Sequence, residues 1–200
     1  MAAILVFYPD RKHHTNRVIF LNSIKLSCKS PSKSARAFYF CKMKYTRLTK
    51  EQLEELHPEF INFLATQSIT GDEWEAIKRD KPKVAEEELD IFSDLVWEGV
   101  LGKVSYLENI SDKQMHLFHL TDKEMKLISV KVMNPEIDLT TPVGFDWFKR
   151  NWQSDFVEYL TASKAYTDDK NVDKFLLLQQ GAVITKGELY QWFEKVIVTS

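Results

Sequence analysis

Beyond its first forty-two residues the chain has three histidines, His57, His116 and His119, and no cysteine. A zinc site needs three or four His, Cys or carboxylate ligands converging on one point. His116 and His119 would share a face on a helix, but their odd spacing puts them on opposite faces of a strand. Neither a metal nor another cofactor is expected. Nucleophilic catalysis needs a nucleophile beside a base that a third group orients. No spacing ties a serine to a histidine here, and the sequence has no GxSxG elbow, GxxxxGKS/T loop or GxGxxG loop.

Paired carboxylates remain. Acid/base chemistry needs carboxyls whose surroundings push their pKa values apart. Asp168-Asp169 reads more simply as a helix start, and the acids between 86 and 90 as a solvated helix face. Glu55, His57 and Glu59 surround Pro58, and a turn there would present them. Among the tryptophans, Trp152 and Trp192 fall on apolar stripes and are expected in the core. Trp147 lies off the stripe of its segment, and Trp74 sits among charges. A half-exposed tryptophan is a common anchor for a protein partner, although packing against a neighbouring element accounts for it more simply. Trp147, Trp74, Glu55, His57 and Glu59 are therefore the candidate partner-binding residues. An aromatic-rich helix over 145–160 would alternatively line an apolar ligand pocket.

The charge is uneven. Residues 1–42 hold eight Lys/Arg and one acid, leaving nineteen basic and twenty-eight acidic residues in 43–200, a balance of −9 within an overall −2. Phosphate binding draws most of its nonspecific affinity from cations, so nucleic acid is not expected to bind through 43–200. No apolar run approaches the ~18 residues that cross a bilayer, so no membrane role is expected. With Cys28 and Cys41 alone, no disulfide framework is available. Segment 1–42 is expected to be a disordered basic extension. It is a poor secretory signal and a better transit peptide, and its charge also suits a nucleic-acid-binding arm. The simplest reading is that translation starts at Met43, where the composition changes.

Helical patterning begins just after Met43, at Leu48. Thr49 with Gln52 and Thr70 with Glu73 have capping-box spacing, and Thr185 with Glu188 repeats it. Pro58 predicts a break near His57. Pro82 suits a helix first turn, and residues 83–101 carry an apolar stripe at three- and four-residue steps, with Gly102 as its stop. Lys103–Glu108, Met115–Leu120 and Met125–Val132 read as three strands of an antiparallel meander, with Ile128, Val130 and Val132 on one face. Ser111–Gln114 would alternatively cap a helical turn. Thr141-Pro142 starts a helix in which Phe145, Phe148, Trp152, Phe156 and Tyr159 form a buried stripe, with a bend near Ser154-Asp155. Asp168-Asp169 opens another helix, Ala182–Ile184 is a short apolar link, and a last helix follows. The expected fold is one α+β domain over 43–200, about six helices packed with a small three-stranded antiparallel sheet.

The stretches LTKEQLEELHPEFINFLA (48–65), SDLVWEGVL (93–101), NPEIDLTT (134–141) and QGAVITKGEL (180–189) carry a resemblance. Residues 43–200 resemble a family of uncharacterised bacterial proteins of the Bacteroidota type, known only as a domain of unknown function. Similar members begin at the equivalent of Met43. The resemblance implies a cytoplasmic bacterial setting and supplies no activity, ligand or catalytic residue. Missing catalytic signatures, an acidic body and spare aromatics point to a small cytosolic domain that binds a protein partner without catalysis. The alternative is a small-molecule binder, or an enzyme using an unrecognised acid/base site.

Overall fold

The computed structural model describes residues 43–198; the expectations for 1–42 fall outside them. The described residues form an α+β protein with seven helices and a five-stranded antiparallel sheet, one helix and two strands more than expected. They fall into two compact units that divide between Val100 and Leu101.

The first unit is helical: α1 (Lys50–Glu55), α2 (His57–Thr66), α3 (Gly71–Asp80) and α4 (Pro82–Leu101), which runs up to the boundary. Both of its expected capping boxes form. The Thr49 side chain accepts from Gln52 N–H and the Thr70 side chain from Glu73 N–H, while the Gln52 and Glu73 side chains bond back. Pro58 occupies the first turn of α2, where its missing N–H costs nothing. Phe60 packs edge-on against Phe92 at 5.1 Å, and Phe63 lies 5.4 Å from Phe92. The segment before α1 is bound along α4. The Asp94 carboxylate accepts from the N–H groups of Lys44 and Tyr45, Arg47 pairs with Asp90, and Trp97 donates to the Thr46 carbonyl.

The second unit is built on the sheet β4-β3-β2-β1-β5. Its strands are β1 (Tyr106–Ile110), β2 (Gln114–Leu120), β3 (Glu124–Val132), β4 (Val157–Ala165) and β5 (Val183–Ile184). Helices α5 (Pro142–Asn151), α6 (Lys170–Gln179) and α7 (Glu188–Val198) complete it. Ile128, Val130 and Val132 share one face as expected, and that face is the covered one. Phe148 from α5 and Tyr190 and Phe193 from α7 close a core over Met115, Leu117 and the three β3 residues.

Three expectations are corrected here. The helix expected over 142–160 ends at Asn151, and the chain turns at 152–156 into β4. Phe156 and Tyr159 continue the helical spacing by coincidence. Phe156 is exposed, and Tyr159 is a strand residue whose ring meets Phe193 at 5.7 Å. The short apolar link pairs Val183 with Glu108 and Ile184 with Leu107, so it is a fifth strand. Trp192, expected in the core, is 40% exposed and packs edge-on against Trp152 at 5.1 Å. The Thr185 hydroxyl accepts from Gly187 N–H and donates to the buried Glu108 carboxylate.

Two features of the second unit have measurable consequences. Gly187 has φ +75° and lies against the Tyr106 ring, where a Cβ would overlap the ring atoms. Gly187→Ala should cost more than about 2 kcal/mol in urea unfolding, combining a left-handed backbone with overpacking. Lys174 is buried on α6, and its ammonium donates to the Leu101 and Val104 carbonyls at 2.7 and 2.8 Å. Burial, with Lys170 nearby, lowers its pKa from 10.5 to about 8. Below pH 8 both folded and unfolded chains carry the proton and the burial penalty is full. Above it the folded chain releases the proton first, so stability rises with pH. Between pH 8 and about 9.5, below the range in which tyrosine titrates, the unfolding free energy of the native chain should climb relative to that of Lys174→Met.

Candidate functional site

The expected partner-binding residues are dispersed. Trp74 on α3 is half-buried, with its ring edge-on to Phe60 at 5.2 Å. Trp147 on α5 is half-buried against the core of the second unit. Glu55 ends α1, His57 starts α2, and both are exposed, with Glu59 less so. These three are neighbours along the chain, and none makes a side-chain hydrogen bond or ion pair among the described residues. Trp74 lies in the first unit and Trp147 in the second.

The histidines of β2 stand on opposite faces of the sheet. His116 lies in register with Ser129, and His119 in register with Lys126. The pairing continues to β4, so Tyr106, His119, Lys126 and Ser163 make one row across four strands on the helix-covered face. Tyr106 stacks on His119 at 4.6 Å, and Tyr190 meets His119 edge-on at 5.2 Å. Burial pushes the Tyr190 hydroxyl up to about 12, with Glu194, Tyr106 and Glu124 adding to the shift. An open groove of about 480 Å³ lies beside this row, lined by Glu124, Lys126, Thr161, Ser163, Tyr190 and Glu194 among others. His119 and Ser163 are two strands apart, about 10 Å, too far for a base to reach a nucleophile directly. No group of three metal-ligating side chains occurs among the described residues.

The strand bordering this groove is an edge strand among the described residues. β4 forms one edge of the sheet, and eight of its nine residues are exposed. It pairs with β3 along its whole length, Val157 opposite Val132 and Ala165 opposite Glu124. Antiparallel ladders alternate, so every second residue sends its N–H and C=O toward a given neighbour. Met133 N–H bonds to the Phe156 carbonyl at 2.8 Å and thereby sets the phase. Residues 158, 160, 162 and 164 bond inward to β3. Val157, Tyr159, Thr161, Ser163 and Ala165 point their backbone groups outward from the sheet. The other edge, β5, is only two residues long.

Apolar side chains lie beside this backbone edge, which has no strand partner among the described residues. Phe156 is 56%, Leu160 61% and Met133 47% exposed. Leu160 belongs to the face opposite the α7 side, in register with Ser129 and His116. The sequence reading missed this edge because it placed Phe156 and Tyr159 on a helix. The alternation of Val157, Tyr159 and Thr161, all strand-favouring residues, was the signal available.

A family model, described as a family of unknown function (DUF6495), matches residues 43–198. The chain belongs to that family. No curated protein and no solved structure matches the chain. Among the described residues no helix is long and apolar enough to cross a membrane.

The phase of the ladder makes a direct prediction. Leu160→Pro removes an N–H that bonds to β3 and should cost about 3 kcal/mol or more. Thr161→Pro removes an outward N–H, which an edge strand tolerates, and in the dilute, unassociated chain should cost about 1 kcal/mol or less. Urea midpoints of the two variants test this ordering.

Proposed function

We propose that this chain is a protein-binding module whose second unit captures an extended polypeptide segment along β4. The nine-residue exposed edge supports the reading, because its outward N–H and C=O groups are the template that strand addition uses. Main-chain hydrogen bonds would supply affinity. Side chains flanking the edge, Leu160 and Ala162 on one face and Tyr159 and Thr161 on the other, would select the partner. The fixed sheet and the α5 and α7 core hold this edge ready, so little ordering is required on the module's side.

The mixed charges of the adjacent groove favour a second reading, a site for a small zwitterionic or polyhydroxylated molecule held by Lys126, Glu124 and Glu194. Its lining is open, and no pair of groups there is set for acid/base work, so binding rather than turnover is the role it suits.

Amide hydrogen exchange tests the module reading. In the dilute free chain the amides of Tyr159, Thr161 and Ser163 should exchange rapidly, while those of Leu160 and Ala162 are protected by β3. When the full chain is saturated by its partner, the three outward amides should slow by at least about tenfold, the signature of newly formed ladder bonds. A bound state that leaves all three fast would overturn the reading.

A further inference from the structure

β4 reads Val157-Glu158-Tyr159-Leu160-Thr161-Ala162-Ser163-Lys164-Ala165. Placed antiparallel against itself with Thr161 opposite Thr161, all nine residues overlap. In this register Glu158 of each copy faces Lys164 of the other, and Leu160 faces Ala162. The outward backbone groups belong to 157, 159, 161, 163 and 165, and this register sets each of them opposite another residue of that set. Every outward N–H therefore meets an outward C=O. Glu158 and Lys164 fall on the non-bonded positions, where opposed α-carbons are closest, about 4.5 Å.

We infer that the occupant of β4 is a second copy of this chain, joined about a two-fold axis at Thr161 into a continuous ten-stranded sheet. This rests on the reading of β4 as a pairing edge and names its partner.

Two observations and the geometry of the register carry the inference. Glu158 and Lys164 are exposed, and among the described residues neither side chain has an ion-pair or hydrogen-bond partner, so both charges are available. Glu158 lies in register with Lys131, so the joined sheet would continue the sign alternation Lys131, Glu158, Lys164 of the second copy. Sliding the copies by two residues sets Glu158 opposite Ala162 or against residues beyond the strand, and loses both charge pairs. Burial of Leu160 against Ala162 on the same face adds an apolar contact between the charges. An isologous contact of this kind closes on itself, so it ends at two chains and does not propagate.

The test is sedimentation equilibrium on the full 200-residue chain, with circular dichroism confirming that each variant is folded. The native chain should dimerise. Glu158→Lys and Lys164→Glu alone place like charges opposite one another twice per dimer and should each weaken association by at least about tenfold. The double variant Glu158→Lys/Lys164→Glu restores both pairs in reversed order and should recover the native affinity within about threefold. Thr161→Cys in a Cys28→Ser/Cys41→Ser background should cross-link to a dimer under oxidation, because the paired α-carbons would be about 5.5 Å apart. A native chain still monomeric at about 1 mM would overturn the second copy as occupant. Single charge variants that associate as tightly as the native chain would overturn it equally. Protection of the outward amides that appears with another bound protein, and never with rising chain concentration, would sink this inference while leaving the strand-capture reading intact.

Discussion

Everything distinctive about the second unit follows from the alternation of an antiparallel ladder. A strand has two sides, and each residue can bond to only one of them. β3 satisfies the inward groups of β4 along nine consecutive pairs, with no slip in register. That regularity leaves the outward groups equally regular, at every second residue along the edge. A short or interrupted strand would have left scattered donors that water could satisfy. β4 instead leaves a continuous row, the kind of template that strand addition uses.

The covered face keeps this edge in place. Phe193 is fully buried over the centre of the sheet and also touches Tyr159, so α7 packs on the edge strand itself. The Tyr159 hydroxyl donates to the Trp152 carbonyl, tying β4 to the turn that precedes it. At the far side, Gly187 admits Tyr106 against the start of α7, and Thr185 bonds Glu108 from beside β5. These contacts lie on one face only. The opposite face grows more exposed from Leu107 on β1, through Phe118 and Leu127, to Ala162 and Leu160 on β4. The sheet is thus anchored where α7 and α5 reach it and open where a further strand would add.

Local chemistry made much of this fold legible in the sequence. The capping boxes at Thr49 and Thr70, the proline in the first turn of α5, and the two-residue alternation of β3 are set by neighbours a few positions apart. Each formed where its residues placed it. β4 was not legible, because two periodicities overlapped. Phe145, Phe148 and Trp152 are spaced as on a helix, and Phe156 and Tyr159 happened to extend that spacing past its end. What stops the helix is a turn, in which Ser154 N–H bonds to the Asn151 carbonyl and Val157 N–H to the Ser154 carbonyl. Polar turns of this kind carry a weaker signal than an aromatic stripe. The edge went unseen for the same reason. Trp74 and Trp147, which drew attention as spare aromatics, are partly covered by Phe60 and by the α5 core, so their side-chain type said less than their packing.

The composition of β4 bears on why an exposed edge is tolerable. Edge strands are usually blunted by proline, by bulges or by lysine, which deter indiscriminate pairing. β4 has no proline and no break in its register, and its protection consists of Glu158 and Lys164 near its two ends. A strand of arbitrary sequence would oppose one of these charges with an apolar or like-charged residue, at a penalty for each mismatch. A strand carrying the same two charges in antiparallel order meets no penalty. In the proposed pairing the two charges would exclude most partners and admit the complementary one, which is how specificity arises from a difference between affinities. Long-range repulsion does little to oppose that encounter. The whole chain has a net charge of −2, and screening limits interactions between exposed charges to about 8 Å at physiological salt. What decides pairing is the local order of charges along nine residues, and that order reads as its own complement when reversed.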